Sequence, residues 1–509
     1  MRLAMAQRAN YKYWAFAAIA IGMFASVVDH GSINIAMPTI AGHFHTNLPT
    51  IQWIAIGYTL TISALLLPMG RLSDLMGRKR VYIIGSLVFV AAAALAGASS
   101  SLTMLILARV LQGCGAAMTQ GTGMAIVMSA FPAQERGKSI GLIMTTVGTG
   151  AIAGPAVGGL LVDALGWRSV LFVNIPLVLM GIVASLAILE GARGAKATRG
   201  SPQGKFDWLG AALSTGALVT FLLAITNGHK SGWTSPPILT ALLGSMALLG
   251  SFIWWELRTP APMLDLRLFQ RRVFSYGVSA HFITFLGGSA VLFLMPFYLQ
   301  RVLGYSPGEA GLIVVPNAIC ITLLGPLSGL LSDRYGWRWF TVGGLALSVT
   351  GLLILSRVSE NSSLALVMPA LMLHSSGMGL FYSPNSSSIL STVERERYGV
   401  ASAFLNLIRN TANVTSLAVA TAIVTATMAS LGHEPSLEAV SGSGGAGVSH
   451  AFTSGMRNAY LAMMGLVVVG MLVSALKGEK PALSGVEGPV ASPSPSVEGH
   501  KKPEQKAQT

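Results

Sequence analysis

Apolar runs of about 20 residues recur along the chain, separated by short polar or basic links. None alternates with period two, so they read as helices long enough to cross a hydrocarbon core about 30 Å thick. The pattern predicts fourteen spans, near 14–36, 51–70, 81–99, 102–128, 139–162, 168–190, 207–227, 237–257, 274–298, 309–331, 339–356, 364–390, 400–429 and 456–476. The stretch near 430–455, with SGSGGAG, reads as flexible. So does the tail after Lys477, which nearly repeats itself as SGVEGP and PSVEGH; its Pro, Ser, Gly, Glu and Lys content predicts disorder.

Composition points the same way. Hydrophobic residues make up 52% of the 509 residues and charged ones only 10%, against about 25% charge in a soluble domain. Lipid is the expected solvent, where every backbone N–H and C=O must pair within the chain. The net charge of +14 does not signal nucleic acid, because the basic residues sit in short loops. Counting alternate loops, about 26 of the 33 lysines and arginines fall on the side of the termini and about five on the other. That bias predicts a multi-pass protein of the inner (plasma) membrane with both termini cytoplasmic. The first apolar stretch is too long for a signal-peptide core and reads as an uncleaved helix. Cys114 and Cys320 lie in apolar spans and support neither a disulfide nor a metal site. The HFH at 43–45 lacks a nearby third ligand, so no metal or cofactor is expected.

An internal repeat divides the chain. GRLSDLMGRKR (70–80) follows span two and GLLSDRYGWRW (329–339) follows span ten, pairing Gly70 with Gly329, Ser73 with Ser332, Asp74 with Asp333 and Gly77 with Gly336. PAQERGKSIGLI before span five is echoed by VERERYGVASAFL before span thirteen. The offset maps spans one to six onto nine to fourteen, leaving seven and eight as an insertion. The expected organisation is an N-terminus (1–13), a six-helix bundle (14–190), a basic link with two inserted helices and a second link (191–273), a second bundle (274–476) and a tail (477–509).

Four motifs, in order and on successive spans, carry a resemblance. WIAIGYTLTISALLLPMGRLSDLMGRKR, LARVLQGCGAA, GTGAIAGPAVGG and PMLDLRLFQRRVF are similar to motifs of the major facilitator superfamily, within it the fourteen-helix drug/proton antiporters of the EmrB/QacA type, over roughly residues 14–476. The resemblance implies an all-α polytopic membrane fold of two six-helix bundles plus two inserted helices, working by alternating access. It implies a loop that latches the halves, carried by Gly70, Asp74, Gly77 and Arg78 and echoed at Asp333. In the second copy Trp337 stands where the first has Arg78. It also implies an antiporter motif at Gly150, Gly154, Pro155, Gly158 and Gly159. Glycines 150, 154 and 158 lie four apart on one helix face, which suits close helix contact. No strand precedes them, so a dinucleotide loop does not fit.

Asp29 is the one acid deep in a predicted span, and burying its charge is costly unless it meets a cavity or a partner. At 1.5 Å per residue it lies roughly 22 Å from the cytoplasmic edge, and Arg109 in span four roughly 20 Å. A pair at one height suits a proton switch, in which a protonated carboxylate releases the arginine or yields to a cationic substrate. A permanent salt bridge joining the two spans is the alternative. The family places an acid and an arginine in these spans, although DHGSIN here departs from its usual Asp-x-Thr-Ile/Val-x-Asn with His30, Gly31 and Ser32, while Asn34 is kept. His30 reads as packed or water-facing. Trp53 and Tyr58 read as interfacial anchors or substrate-path residues. His281, His374 and Tyr382 read as cavity residues or satisfied interhelical contacts, and Arg409 as deep or snorkelling.

No Ser/His/Asp set, HExxH or Walker loop supports an enzyme, and no domain is long enough for a sensor. The expected function is proton-coupled export of small hydrophobic or cationic compounds, with drug resistance by multidrug efflux. A dedicated exporter of a lipid, siderophore or natural product is the alternative. The expected partners are a small-molecule substrate, protons and the bilayer. A monomer is expected, with an adaptor protein compatible.

Overall fold

A computed structural model describes residues 11–131, 135–189, 207–232, 234–259, 266–393, 398–433 and 445–478. Among these, fourteen helices are long and apolar enough to cross a membrane: Tyr11–His43, Leu48–Leu66, Arg78–Gly97, Leu102–Val127, Gly141–Leu165, Ser169–Ile188, Trp208–Gly228, Pro236–Arg258, Arg272–Val302, Pro307–Ser332, Trp337–Leu355, Leu364–Leu390, Ala401–Ser430 and Gly447–Leu476. They are named here as the first to fourteenth spans. Their even number returns the chain to the end where it began, the termini end; the other is the distal end.

Three boundaries differ from the sequence expectation. The first span runs on to His43, because Pro38 sits inside it without ending it. The fourteenth begins well before 456, its helix running Gly445–Leu476; GAGVSH has few apolar residues, and packing rather than hydropathy holds it. Lys477, assigned to a loose tail, is buried. Its ammonium donates to Asn385 Oδ1 at 2.9 Å and Ser388 Oγ at 2.5 Å. Residues 479–509 and 434–444 of the 430–455 stretch lie outside the described residues, as does the basic link at 190–206.

The signature turns differ in what surrounds them. Gly77 and Gly336 both adopt positive φ, 96° and 83°, a conformation open to glycine and strained for other residues. Arg78 then donates to the Ala125 carbonyl at 3.1 Å, tying the turn to the end of the fourth span. In the second copy Trp337 donates its indole N–H to the Gly478 carbonyl at 3.0 Å, and the Lys477 ammonium lies 5.7 Å from its ring centroid. The missing arginine is thus replaced by a clamp on the last helix. The Asp74 and Asp333 side chains lie outside the described residues.

The fifth span is wedged between the halves. One face meets the first span without room for side chains. A Cβ on Gly150 would lie 2.9 Å from Val27 Cβ, one on Gly154 3.1 Å from the Gly31 Cα, and one on Gly158 2.5 Å from the Ser32 Cα. Ser32 Oγ donates to the Gly154 carbonyl at 2.8 Å. The other face meets the tenth span, where Gly159 lies against Pro307 and Gly311 against the Pro155 carbonyl. Span seven packs on spans two and thirteen, one from each half, and Thr215 Oγ1 donates to the Ala64 carbonyl at 2.8 Å. Span eight turns apolar side chains such as Leu243 and Met246 outward, as a lipid-facing helix does. Span nine breaks at Gly287–Ser289, where the glycines meet spans fourteen and twelve closely; Gly/Ser pairs are a common cause of such kinks.

The two ends are unlike. At the distal end one apolar cluster joins both halves, running from Ile33, Met37, Ile40 and Ile51 to Met295, Phe297, Val424 and Met428. Polar bonds reinforce it: Gln300 Nε2 donates to the Ile35 carbonyl at 2.8 Å, Arg301 to the Pro38 carbonyl, and Asp163 Oδ2 accepts from the Gly308 N–H at 2.8 Å. At the termini end the apolar clusters are separate. One holds Ile19, Tyr82, Val127 and Ile143 of the first half, the other Phe274, Ile389, Phe404 and Leu405 of the second. The described residues therefore form a closed distal end and a cleft between the halves that opens toward the termini. Replacing Gly158 with leucine forces the first and fifth spans apart; a destabilisation of about 1–3 kcal/mol is expected, measured by equilibrium unfolding in mixed micelles.

Candidate functional site

The deepest polar group of the first half is built from four spans. Span one supplies Asp29, span two Tyr58, span four Arg109 and Gln112, and span six Asn174. Arg109 Nη1 donates to Asp29 Oδ2 at 2.7 Å and to Gln112 Oε1 at 2.7 Å. Gln112 Nε2 and Asn174 Nδ2 both donate to Asp29 Oδ1, at 3.1 and 2.8 Å. The guanidinium lies 4.2 Å from the Tyr58 ring centroid, a desolvated cation–π contact. Asp29 is 1% exposed and Arg109 0%.

The carboxylate therefore has both oxygens occupied, while Arg109 Nη2 is buried with no partner. A spare donor on a fully buried guanidinium gives the pair room to exchange partners. A cation approaching Asp29 would meet a sealed carboxylate already neutralised by Arg109, so this arrangement does not favour a cationic ligand there. Span geometry explains the assembly. Gln112 is three residues after Arg109 and shares its helix face, and the small residues that follow them let spans two and four approach, as Gly113 does against Thr61 and Gly121 against Gly70.

His30 is water-facing. Its side chain is exposed, yet the charges of Arg109, Asp29 and Arg409 all act on it, so it lines the cleft one residue from the sealed pair. Asn34, half-buried, lies four residues on and shares that face.

The other expected path residues separate. Tyr58 is buried beneath Arg109 and reaches neither an interface nor the cleft. Trp53 lines a distal cavity of about 360 Å³ with Gln52, Thr226 and Thr421, away from the open end. His374 is a satisfied interhelical contact, its Nδ1 2.9 Å from Ser348 Oγ and its Nε2 3.1 Å from the Gly288 carbonyl. His281 is 0% exposed with neither ring nitrogen bonded. It packs against Phe285 and Tyr382, ring centroids 4.8 and 5.8 Å away. Arg409 is half-buried and donates weakly to Tyr382 Oη at 3.5 Å.

Gln112 and Asn174 were missed by sequence reasoning. Each left a signal: Gln112 stands inside LARVLQGCGAA at helical spacing from the arginine, and Asn174 is a lone amide in the apolar run of span six. Removing Arg109 leaves Asp29 as an unpaired buried charge, so Arg109→Met should destabilise by about 3–5 kcal/mol. The double variant Asp29→Asn with Arg109→Met should recover most of that loss, read by the same unfolding measurement.

Comparisons with known proteins agree with this architecture. A family model described as Major Facilitator Superfamily matches residues 19–258 and 277–503. The chain is 33% identical over 393 residues to the riboflavin transporter RibZ of Clostridioides difficile, covering 77% of this chain and 84% of that one. It is 32% identical over 422 residues to the multidrug resistance protein Stp of Mycobacterium tuberculosis, 83% and 77% covered. It is 30% identical over 421 residues to a probable actinorhodin transporter of Streptomyces coelicolor, 80% and 71% covered. Among solved structures, a bacterial homologue of the human lysosomal transporter Spinster aligns with a TM-score of 0.69 at 16% identity, covering 92% of this chain and 97% of that one.

Proposed function

The chain belongs to the Major Facilitator Superfamily and is a multi-pass membrane transporter rather than an enzyme, and we propose that it exports small molecules in exchange for protons. The termini end faces the cytoplasm of the cell that carries it in its plasma membrane, following the bias of lysine and arginine in the loops. The described arrangement, closed distally and open toward the termini, is then the state that loads cargo from the cytoplasm.

The observation that carries the coupling is the sealed Asp29–Arg109 pair one residue from the water-facing His30. A proton that reaches Asp29 removes the charge holding Arg109 and frees two amide donors, so the network must rearrange. Because the pair joins spans one and four, and span one is seated along the glycine face of span five, that rearrangement is felt at the contact between the halves. The fifth span touches span ten on its other face, which supplies a route from the proton site to the closed distal end. Small residues at this contact let the helices shift without clearing bulky side chains.

Relatives named for riboflavin, actinorhodin and multidrug resistance favour a small-molecule cargo, and the first two also support a dedicated exporter of one product. The test is transport in proteoliposomes. With the vesicle interior one pH unit more acidic, the intact protein should concentrate riboflavin or another candidate cargo inside by about tenfold per exchanged proton. Asp29→Asn should remove that dependence on the gradient. Equal uptake with and without the gradient, in both proteins, overturns the coupling.

A further inference from the structure

The cleft has an uneven charge. Asp29 is the one acid away from the ends of the spans, and it is sealed and already neutralised. Two basic groups face the cleft from opposite halves: His30, exposed, from the first span, and Arg409, half-buried, from the thirteenth. Among the described residues Arg409 has no carboxylate within ion-pair distance, and its bonded contact is the long one to Tyr382 Oη.

Arg409 does not simply reach for the membrane surface. It lies eight residues into its span from Ala401, about 12 Å from the termini end of that span. Tyr382 lies eight residues from Leu390, and His281 nine from Arg272, so all three share one depth. The guanidinium is directed at the Tyr382 ring, 6.0 Å from its centroid. Beside it His281 is fully buried with both ring nitrogens unpartnered, and Phe285 stands edge-on to Tyr382 with centroids 5.8 Å apart. Phe285 and Tyr382 are half-buried and offer aromatic surface to whatever sits between them and Arg409. A guanidinium without a carboxylate partner among the described residues, beside two half-buried aromatic faces at one depth, forms a receptor for an acid on a flat apolar frame.

We propose that Arg409, with the rings of Tyr382 and Phe285, binds an aromatic cargo bearing an acidic group, a carboxylate or an ionised phenol, with His281 packed behind those rings, and that the cleft selects against cations. The proposal rests on the transporter reading above, and it names the substrate class that reading leaves open. Arg409 supplies the opposite charge, the rings supply stacking area, and His30 keeps the facing wall free of negative charge. A cation entering the same cleft would meet Arg409 with no exposed acid deep in the described spans to offset it.

The test is equilibrium binding to the full chain in nanodiscs, with no pH gradient, so that a failure of proton coupling leaves it unaffected. Fluorescein and rhodamine 6G, an acidic and a cationic dye on the same xanthene frame, are titrated by fluorescence anisotropy. The intact protein should bind fluorescein at least about tenfold more tightly than rhodamine 6G. Arg409→Gln should weaken fluorescein binding by about tenfold or more, while Arg409→Lys keeps a substantial part of it. Rhodamine 6G binding as tightly as fluorescein to the intact protein overturns the proposal without any variant. So does fluorescein affinity unchanged in an Arg409→Gln protein that elutes as the intact chain does.

Discussion

A buried carboxylate bonded to a buried arginine is the constraint on which the rest of this structure depends. Each ion alone would be costly at mid-membrane. Together they are tolerable only because Gln112, Asn174 and the Tyr58 ring occupy the groups that water would otherwise serve. Four spans must therefore meet at one depth with a register set by single residues. Such a cluster tolerates few intermediate arrangements, and a change in its charge has to be met by movement of the helices that hold it.

What lets the helices respond is the shape of the fifth span. Its glycines place it against span one on one side and span ten on the other, so it links the charged cluster to the seam between the halves. Distally, that seam is closed by a shared apolar cluster and by main-chain bonds from Gln300 and Arg301. Toward the termini, each half keeps its own core. The halves also differ chemically: the first keeps its ion pair sealed, whereas the second leaves Arg409 facing the cleft. The Trp337 clamp on Lys477 and Gly478 adds a second asymmetry, because only in the first half does an arginine, Arg78, directly follow the turn glycine.

The helical architecture was legible because hydropathy, loop charge and the repeated GxLSD turn all report the same periodic organisation. Asp29 and Arg109 were legible for a different reason: charges are so expensive in hydrocarbon that two at equal depth imply each other. Neutral amides carry no such penalty signal, and Gln112 and Asn174 went unassigned although they hold the carboxylate. Histidines were the least legible. His30, His281 and His374 all sit in apolar runs, yet one faces water, one is buried without partners and one is fully bonded. The difference depends on which helix face turns inward, and hydropathy along one chain does not record it. Helix ends misled for a similar reason, since Lys477 and the start of the fourteenth helix are held by contacts from distant spans.

Exchange demands that cargo and proton displace each other, so the most direct measurement is the number of protons released when cargo binds. Isothermal titration of a transported cargo into the purified protein, repeated in buffers of differing ionisation enthalpy, gives that number. At a pH acid enough that Asp29 carries a proton before cargo binds, the account predicts net proton release from the intact chain, and none from the Asp29→Asn variant. Heats independent of the buffer in the intact chain, or the same release from both proteins, would contradict it.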